Sequence, residues 1–213
     1  MEAETLDFIA RSQNTILEIL ENRGYDVESY KGRSPIEIIK LATTKTDLLT
    51  IQAEREEGGT TKRVIVVYWV EGAFRHKADT EVNKLWDPEL TPHYNPATDE
   101  LFIVLNEPMN NAFHLSAKKQ WSKGARVSFF PLKNIVSNPA RHSMVPPHRK
   151  LSESEVRDVM ASLHMKSKNE FSHIKFHEDM QARVLGLVPG DVVEIKRPSE
   201  TAGETIAYRI CSI

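Results

Sequence analysis

Gly190-Asp191-Val192-Val193-Glu194-Ile195-Lys196-Arg197-Pro198-Ser199-Glu200-Thr201-Ala202-Gly203, followed by Tyr208-Arg209-Ile210, decides how the last quarter of the chain folds. Asp191 to Arg197 is rich in Val and Ile, and Pro198 is expected to end the ladder because it has no N–H to donate. Gly203 reopens an extended run from Thr205 to Ile213, so the stretch predicts a hairpin with a six-residue polar loop. Both strands place apolar residues on both faces: Val192, Val193 and Ile195 in the first, and Ile206, Ala207, Tyr208 and Ile210 in the second. The run stops at Ile213 without a polar tail, which fits a last strand packed into a sheet or under a partner. A small self-sufficient sheet is the alternative.

Working outward, Asp179 to Leu185 reads as a short helix closed by Gly186, and Lys166 to His177 as a polar connector. Ser152 with Glu155 three residues on is a capping-box signature, and Val156, Val159, Met160 and Leu163 mark the helix behind it. Ser137 to Pro147 holds Pro139, Pro146 and Pro147 and reads as a domain boundary, giving domains at 1–138 and 139–213. A domain of about seventy residues has little stability to spare without disulfides or metal. It is therefore expected to lean on something.

In the first domain, Leu6, Ile9, Ala10, Gln13, Ile16, Leu17 and Leu20 recur at helical spacing and predict a helix over 3–23. Ser34-Pro35 opens a second helix, running to about Ala42. Leu48 to Glu54 and Lys62 to Glu71 predict two strands joined across Gly58-Gly59, the second buried on both faces between Val64 and Val70. A short helix over 79–86, a break at Pro88, Pro92 and Pro96, a strand at Leu101–Leu105, a helix over Ser116–Lys123 and a strand from Arg126 to about Pro131 follow. The alternation predicts a mixed α/β (α+β) architecture.

Composition narrows the function classes. No run approaches the roughly eighteen apolar residues of a membrane span, and the acidic, amphipathic N-terminus is unlike a secretory leader, so cytosol or nucleus is expected. The single cysteine, Cys211, makes no internal disulfide and is expected to be a buried small hydrophobe. Net charge is only -2, which argues against a free-standing nucleic-acid binder, yet the charge is unevenly spread. Residues 1–107 hold twelve Lys and Arg against twenty Asp and Glu, residues 108–152 eight basic residues and no acid, and residues 153–213 eight against ten. The middle stretch is a basic patch.

Leu185-Gly186-Leu187, Pro189-Gly190-Asp191-Val192-Val193, Arg197-Pro198-Ser199-Glu200-Thr201-Ala202-Gly203 and Tyr208-Arg209 together resemble the C-terminal domain of the subunit-5 family of DNA-directed RNA polymerases. Members of that family are shared by the nuclear polymerases and have an archaeal counterpart. Val145-Pro146-Pro147-His148 with Leu151-Ser152 and Glu155 resembles the entry to the same domain. The resemblance implies a small C-terminal α+β assembly domain anchored to the largest polymerase subunit, and an N-terminal mixed-sheet jaw domain, with nuclease-like topology, beside downstream duplex DNA. It implies Val145, His148, Arg197, Ser199, Glu200, Thr201, Tyr208 and Arg209 at or beneath the anchoring surface. Ser199 and Thr201 equally suit a purely turn-shaping role.

Asn110-Asn111, then Ser116-Ala117-Lys118-Lys119-Gln120, resembles a short motif of that family, usually Thr-Pro-Ser-Ala, that begins the helix nearest downstream DNA. His114 and Leu115 stand in place of Thr and Pro. A helix N-terminus with a hydroxyl and following lysines suits a phosphate, and Ser116, Lys118, Lys119 and Lys123 are the candidate contacts, salt-sensitive and blind to sequence. A solvated charged helix face is the alternative.

Candidate chemistry is sparse. His173 and His177 have the spacing of two ligands on one helix turn, without a third convergent residue. Asp47 and Glu54 resemble the acids of metal-dependent nucleases on mixed sheets, but Glu56 stands where their lysine belongs. No phosphate loop, Ser/His/Asp set or Cys/His pair stands in a convincing context. The expectation is an accessory, non-catalytic subunit without cofactor, membrane or small-molecule substrate, bound to the largest and other core polymerase subunits and to downstream DNA. The active site would lie in the two largest subunits. An independent nuclease-like enzyme and a stand-alone interaction module are the rivals. Phe171-Ser172-His173-Ile174 and Asp179-Met180 depart from the family's Leu-Pro-x-Ile and Asp-Pro, which fits a divergent lineage. The nucleus is expected for a cellular protein, and a viral factory or virion for one encoded by a large DNA virus.

Overall fold

Residues 1–70, 72–87, 89 and 94–213 are described by the computed structural model, and they divide into two units, Met1–Asn138 and Pro139–Ile213. Pro88, Pro92 and Glu71, expected at a break and at a strand end, lie outside the described residues.

Unit 1 opens with helices α1 (Ala3–Asn22) and α2 (Pro35–Thr44). At the start of α2 the Ser34 hydroxyl accepts the Glu37 N–H and the Glu37 carboxylate accepts the Ser34 N–H, with Pro35 at the first helical position. Strands β1 (Ile51–Glu57) and β2 (Thr60–Trp69) form a hairpin over Gly58-Gly59, whose φ of 60° and 77° explain two consecutive glycines. Then come α3 (Ala78–Leu85), β3 (Asp99–Leu105), α4 (Asn111–Ser122) and β4 (Arg126–Pro131). The sheet order is β1-β2-β3-β4, with β2, β3 and β4 parallel and β1 antiparallel at the edge.

Parallel strands need covering on both sides, and the alternation of side chains shows how. Ile65, Leu101, Ile103, Leu105, Val127 and Phe129 point one way and form a core with Phe74, Val82, Phe113 and Ala117 from the α3 and α4 side. The intervening positions point towards α1: Phe102 stacks on Phe130 with ring centroids 3.8 Å apart, and the Tyr68 and Ser12 hydroxyls meet at 3.2 Å. Every residue of β3 is buried.

Unit 2 contains β5 (His148–Lys150), α5 (Glu153–Ser162), β6 (Ser172–Lys175), α6 (Met180–Leu185), β7 (Val192–Ser199) and β8 (Gly203–Ser212). The sheet runs β5-β7-β8-β6, antiparallel except for β6 with β8. Both sheets are therefore mixed, and the fold is α/β of the α+β kind. Leu151, Val156, Phe171, Val192 and Ile210 form the core on the α5 face. Cys211 is buried and unbridged, and α6 is capped by Asp179 and closed by Gly186 at φ 68°.

Three expectations are corrected. Helix α4 starts at Asn111, five residues before Ser116. The connector Lys166–His177 contains β6, where Ile174 is the one inward-facing residue between exposed neighbours. The ladder also runs through Pro198, which pairs with Glu204, leaving Glu200, Thr201 and Ala202 as the loop. Lys196 donates its N–H outward to Pro147 O at 3.0 Å, so two residues on Pro198 also turns its nitrogen away from β8, beyond the end of β5. No ladder bond is lost there.

Candidate functional site

In unit 2 the candidate anchoring residues converge on one hairpin and its entry. Val145 donates its N–H to His142 O at 2.8 Å, and His148 Nδ1 lies 2.6 Å from Pro146 O, so both hold the turn that delivers the chain into β5. Ser199 Oγ accepts the Ala202 N–H at 3.3 Å and lies 3.4 Å from Thr201 Oγ1, a turn-shaping role, while Glu200 and Thr201 stand exposed at the tip. Tyr208 and Arg209 are consecutive in β8 and so point to opposite faces. The Tyr208 ring leans on Phe171 at 6.1 Å, and burial, followed by the nearby Glu194 carboxylate, raises its hydroxyl pKa. Arg209 and Arg197 share the other face.

A charged cluster braces the hairpin against β5 and α5, and its members lie too far apart in the chain for the sequence to show it. Arg149 donates to Glu155 at 2.6 Å and to Glu194 at 3.4 Å, and Lys150 pairs with Asp191 at 2.8 Å. Glu155 also closes the α5 capping box; the Ser152 N–H, then Arg149, then the Ser152 hydroxyl lower its pKa to about 2.

In unit 1, α4 has its amino end capped by Asn110, whose Oδ1 accepts the Ala112 and Phe113 N–H groups at 2.8 and 3.4 Å. Ser116 is a mid-helix residue, buried against α3, and offers no free helix end to a phosphate. Lys119 reaches Asp79 of α3 at 2.5 Å, and Lys119 first and Ser116 second hold the Asp79 carboxyl below its usual range. Gln120 Nε2 donates to Asn83 at 3.0 Å in the same contact. Lys118 is half-buried on α4, and Lys123 is exposed at its C-cap. At the carboxyl end of the helix Lys119 and Lys123 complement its dipole.

A second cluster lies at the amino ends of β3 and β4. Arg23 grips the buried Glu100 carboxylate with both terminal nitrogens, Arg126 Nε stands 3.3 Å from the same group, and Arg55 lies over the Tyr25 ring at 4.8 Å. Burial alone would raise the Glu100 pKa, but Arg126 and Arg23 more than offset it and hold it low. Side chains this enclosed and mutually paired are structural.

The candidate chemistry does not converge. Asp47 sits in the turn Thr46–Leu49 paired with Lys45 at 2.8 Å, and Glu54 is exposed on β1. His173 lies on β6 while His177 is buried in the following turn at φ 62°, so no helix presents them together. Among the described residues no group of three or more His, Cys, Asp or Glu is placed to hold a metal, and no helix is long and apolar enough to cross a membrane.

The family model for the C-terminal domain of RNA polymerase Rpb5 matches residues 137–211, which is unit 2 almost to the residue. The archaeal polymerase subunit Rpo5 of Archaeoglobus fulgidus is 39% identical over 69 residues, 32% of this chain and 88% of that protein. This chain belongs to the RNA polymerase subunit 5 family. Rpo5 of Methanosarcina acetivorans is 41% identical over 69 residues, 32% of this chain and 86% of its own length. A subunit named for DNA-directed RNA polymerases I, II and III in Dictyostelium discoideum is 25% identical over 210 residues, covering 98% of this chain and 99% of that one. The archaeal relatives are thus about the size of unit 2, whereas the match to the Dictyostelium relative spans nearly the whole chain.

Proposed function

We propose that this chain is a non-catalytic subunit of a multisubunit DNA-dependent RNA polymerase. Unit 2 docks on the largest subunit through the β7–β8 hairpin, unit 1 stands as a jaw module beside downstream duplex DNA, and the active site belongs to the two largest subunits. The observation that carries this is that the matched C-terminal domain coincides with unit 2, and that archaeal polymerase subunits are about the size of that unit: a module of this size serving on its own is the one that assembles. Arg197 and Arg209 on one face of the hairpin, with Tyr208 on the other, supply its contact chemistry. On unit 1, Lys118 and Lys123 give sequence-independent phosphate contacts, with Lys119 committed to Asp79. Nuclear residence follows for a cellular protein, and a viral factory or virion for a viral one.

Affinity capture of the tagged full chain from its native source tests this. The expected result is a stoichiometric polymerase core; recovery of the chain free of both large subunits would overturn the assignment. Purified chain incubated alone with magnesium and duplex DNA is expected to leave the DNA intact, and cleavage lost on Glu54→Ala would favour a nuclease.

A further inference from the structure

Strand β8 is ten residues long, but its outer neighbour β6 covers only part of it. Pairing with β6 begins at Arg209 and runs to Ser212, while pairing with β7 on the inner side extends from Gly203 to Ile210. The direction of each backbone group follows from the cross-strand bonds. Cys211 N–H donates to Asp191 O and Ser212 O accepts from Phe176 N–H, so odd-numbered residues of β8 bond inward to β7 and even-numbered ones outward. Glu204 spends its N–H on Ala202 O. The Glu204 carbonyl and both backbone groups of Ile206 therefore face outward where β6 does not reach.

An open stretch of strand edge is a template for another strand, and proteins that leave one solvent-facing usually block it. The opposite edge of this hairpin is blocked in that way, since Pro198 removes the donor that would follow Lys196. The β8 edge carries no proline, and Ile206 leaves 50% of its surface exposed beside it. On the alternate face, Arg197 and Arg209 are half-buried, and among the described residues neither guanidinium meets a carboxylate. Backbone valence and an apolar side chain thus sit along the open edge, with Arg209 at the end of it where β6 begins, and Arg197 one strand inward on the same face as Arg209.

We propose that the outer edge of β8 at Glu204–Tyr208 accepts an extended segment of a partner polypeptide as an added strand, in line with β6. That segment lays an apolar side chain on Ile206 and turns an acidic one towards Arg209. The proposal rests on the assembly role argued above and specifies how the docking is made: main-chain bonds give the affinity and alternate side chains the selection.

Amide exchange on the full chain, free and within the captured polymerase, tests it. The fragment spanning 203–208 is expected to gain protection on assembly, with the Ile206 N–H slowed about 100-fold or more. Ile206→Pro deletes an outward donor and leaves the β7 ladder whole, so the free variant is expected to unfold near the wild-type midpoint yet lose polymerase capture at least about tenfold. Thr205→Pro removes an inward donor and is expected to lower the midpoint of the free chain. Arg209→Glu is expected to weaken capture, and Arg209→Lys to restore most of it. Capture of intact polymerase with the Ile206 amide still in fast exchange, or a folded Ile206→Pro chain that assembles normally, overturns the strand addition alone. Capture of no polymerase by the wild-type chain overturns the assembly role as well.

Discussion

Glu100 is the residue on which the interior electrostatics of unit 1 turn, because its buried carboxylate pairs with the equally enclosed Arg23 side chain and with the partly exposed Arg126. Glu100→Gln keeps the shape but takes the charged partner from the enclosed Arg23 guanidinium, and is expected to cost about 3 kcal/mol or more in urea unfolding. The pH dependence follows from the depressed pKa. A carboxyl held lower in the folded chain than in the unfolded one contributes fully above the ordinary glutamate value and is lost as pH falls through the folded value. The wild-type midpoint is therefore expected to drop in acid more steeply than that of the Gln variant. An equal slope in the two would show that the cluster does not set the titration. None of this is legible in the sequence, where Arg23, Glu100 and Arg126 look like three unrelated surface charges. Gln13 shows the converse: its place on the apolar stripe of α1 makes its burial readable despite its polarity. Ser116 misleads for another reason. A likeness of a few residues marks it as a helix start, whereas Asn110, six residues earlier, has the side chain that caps α4 and leaves Ser116 inside the helix.

At the scale of the element, helix α5 is fixed at its amino end by a reciprocal cap, in which the Ser152 hydroxyl accepts the Glu155 N–H and the Glu155 carboxylate accepts the Ser152 N–H. Ser152→Ala is expected to cost about 1 kcal/mol, read as a lower unfolding midpoint and as faster amide exchange confined to the first turn of α5. A change spread evenly over unit 2 would mean that the cap acts through the sheet instead. Capping and periodicity make α1, α2, α5 and α6 readable from the sequence to within about two residues. Strand β6 is not readable, because a four-residue edge strand with a single inward side chain, Ile174, shows no alternation to detect. The hairpin loop is overestimated from sequence for a different reason. Proline forbids a ladder bond only when its nitrogen faces the neighbouring strand, and which way it faces depends on register, which composition does not reveal.

For the whole chain, the division at Asn138 and Pro139 has a thermodynamic counterpart. Each unit has its own sheet and its own core, so each is expected to unfold with its own cooperative transition. A fragment covering 139–213 is expected to fold alone, as the length of the archaeal relatives implies, with the lower midpoint of the two because a small domain buries a smaller share of its surface. Calorimetry of the full chain and of the fragment checks this, and a single transition with matching calorimetric and van't Hoff enthalpies would show the units to be coupled. The mixed α/β class is legible from the order of helical and extended patterns, and the family from a few ordered blocks near the C-terminus. The pairing of sheet edges is legible from neither, since it is decided between segments distant in sequence. The lone cysteine gives this architecture a practical use. Cys211 is the chain's one thiol and is enclosed in the sheet of unit 2, so a thiol-reactive dye would act as a clock for the opening of that unit alone, blind to whatever happens in the other.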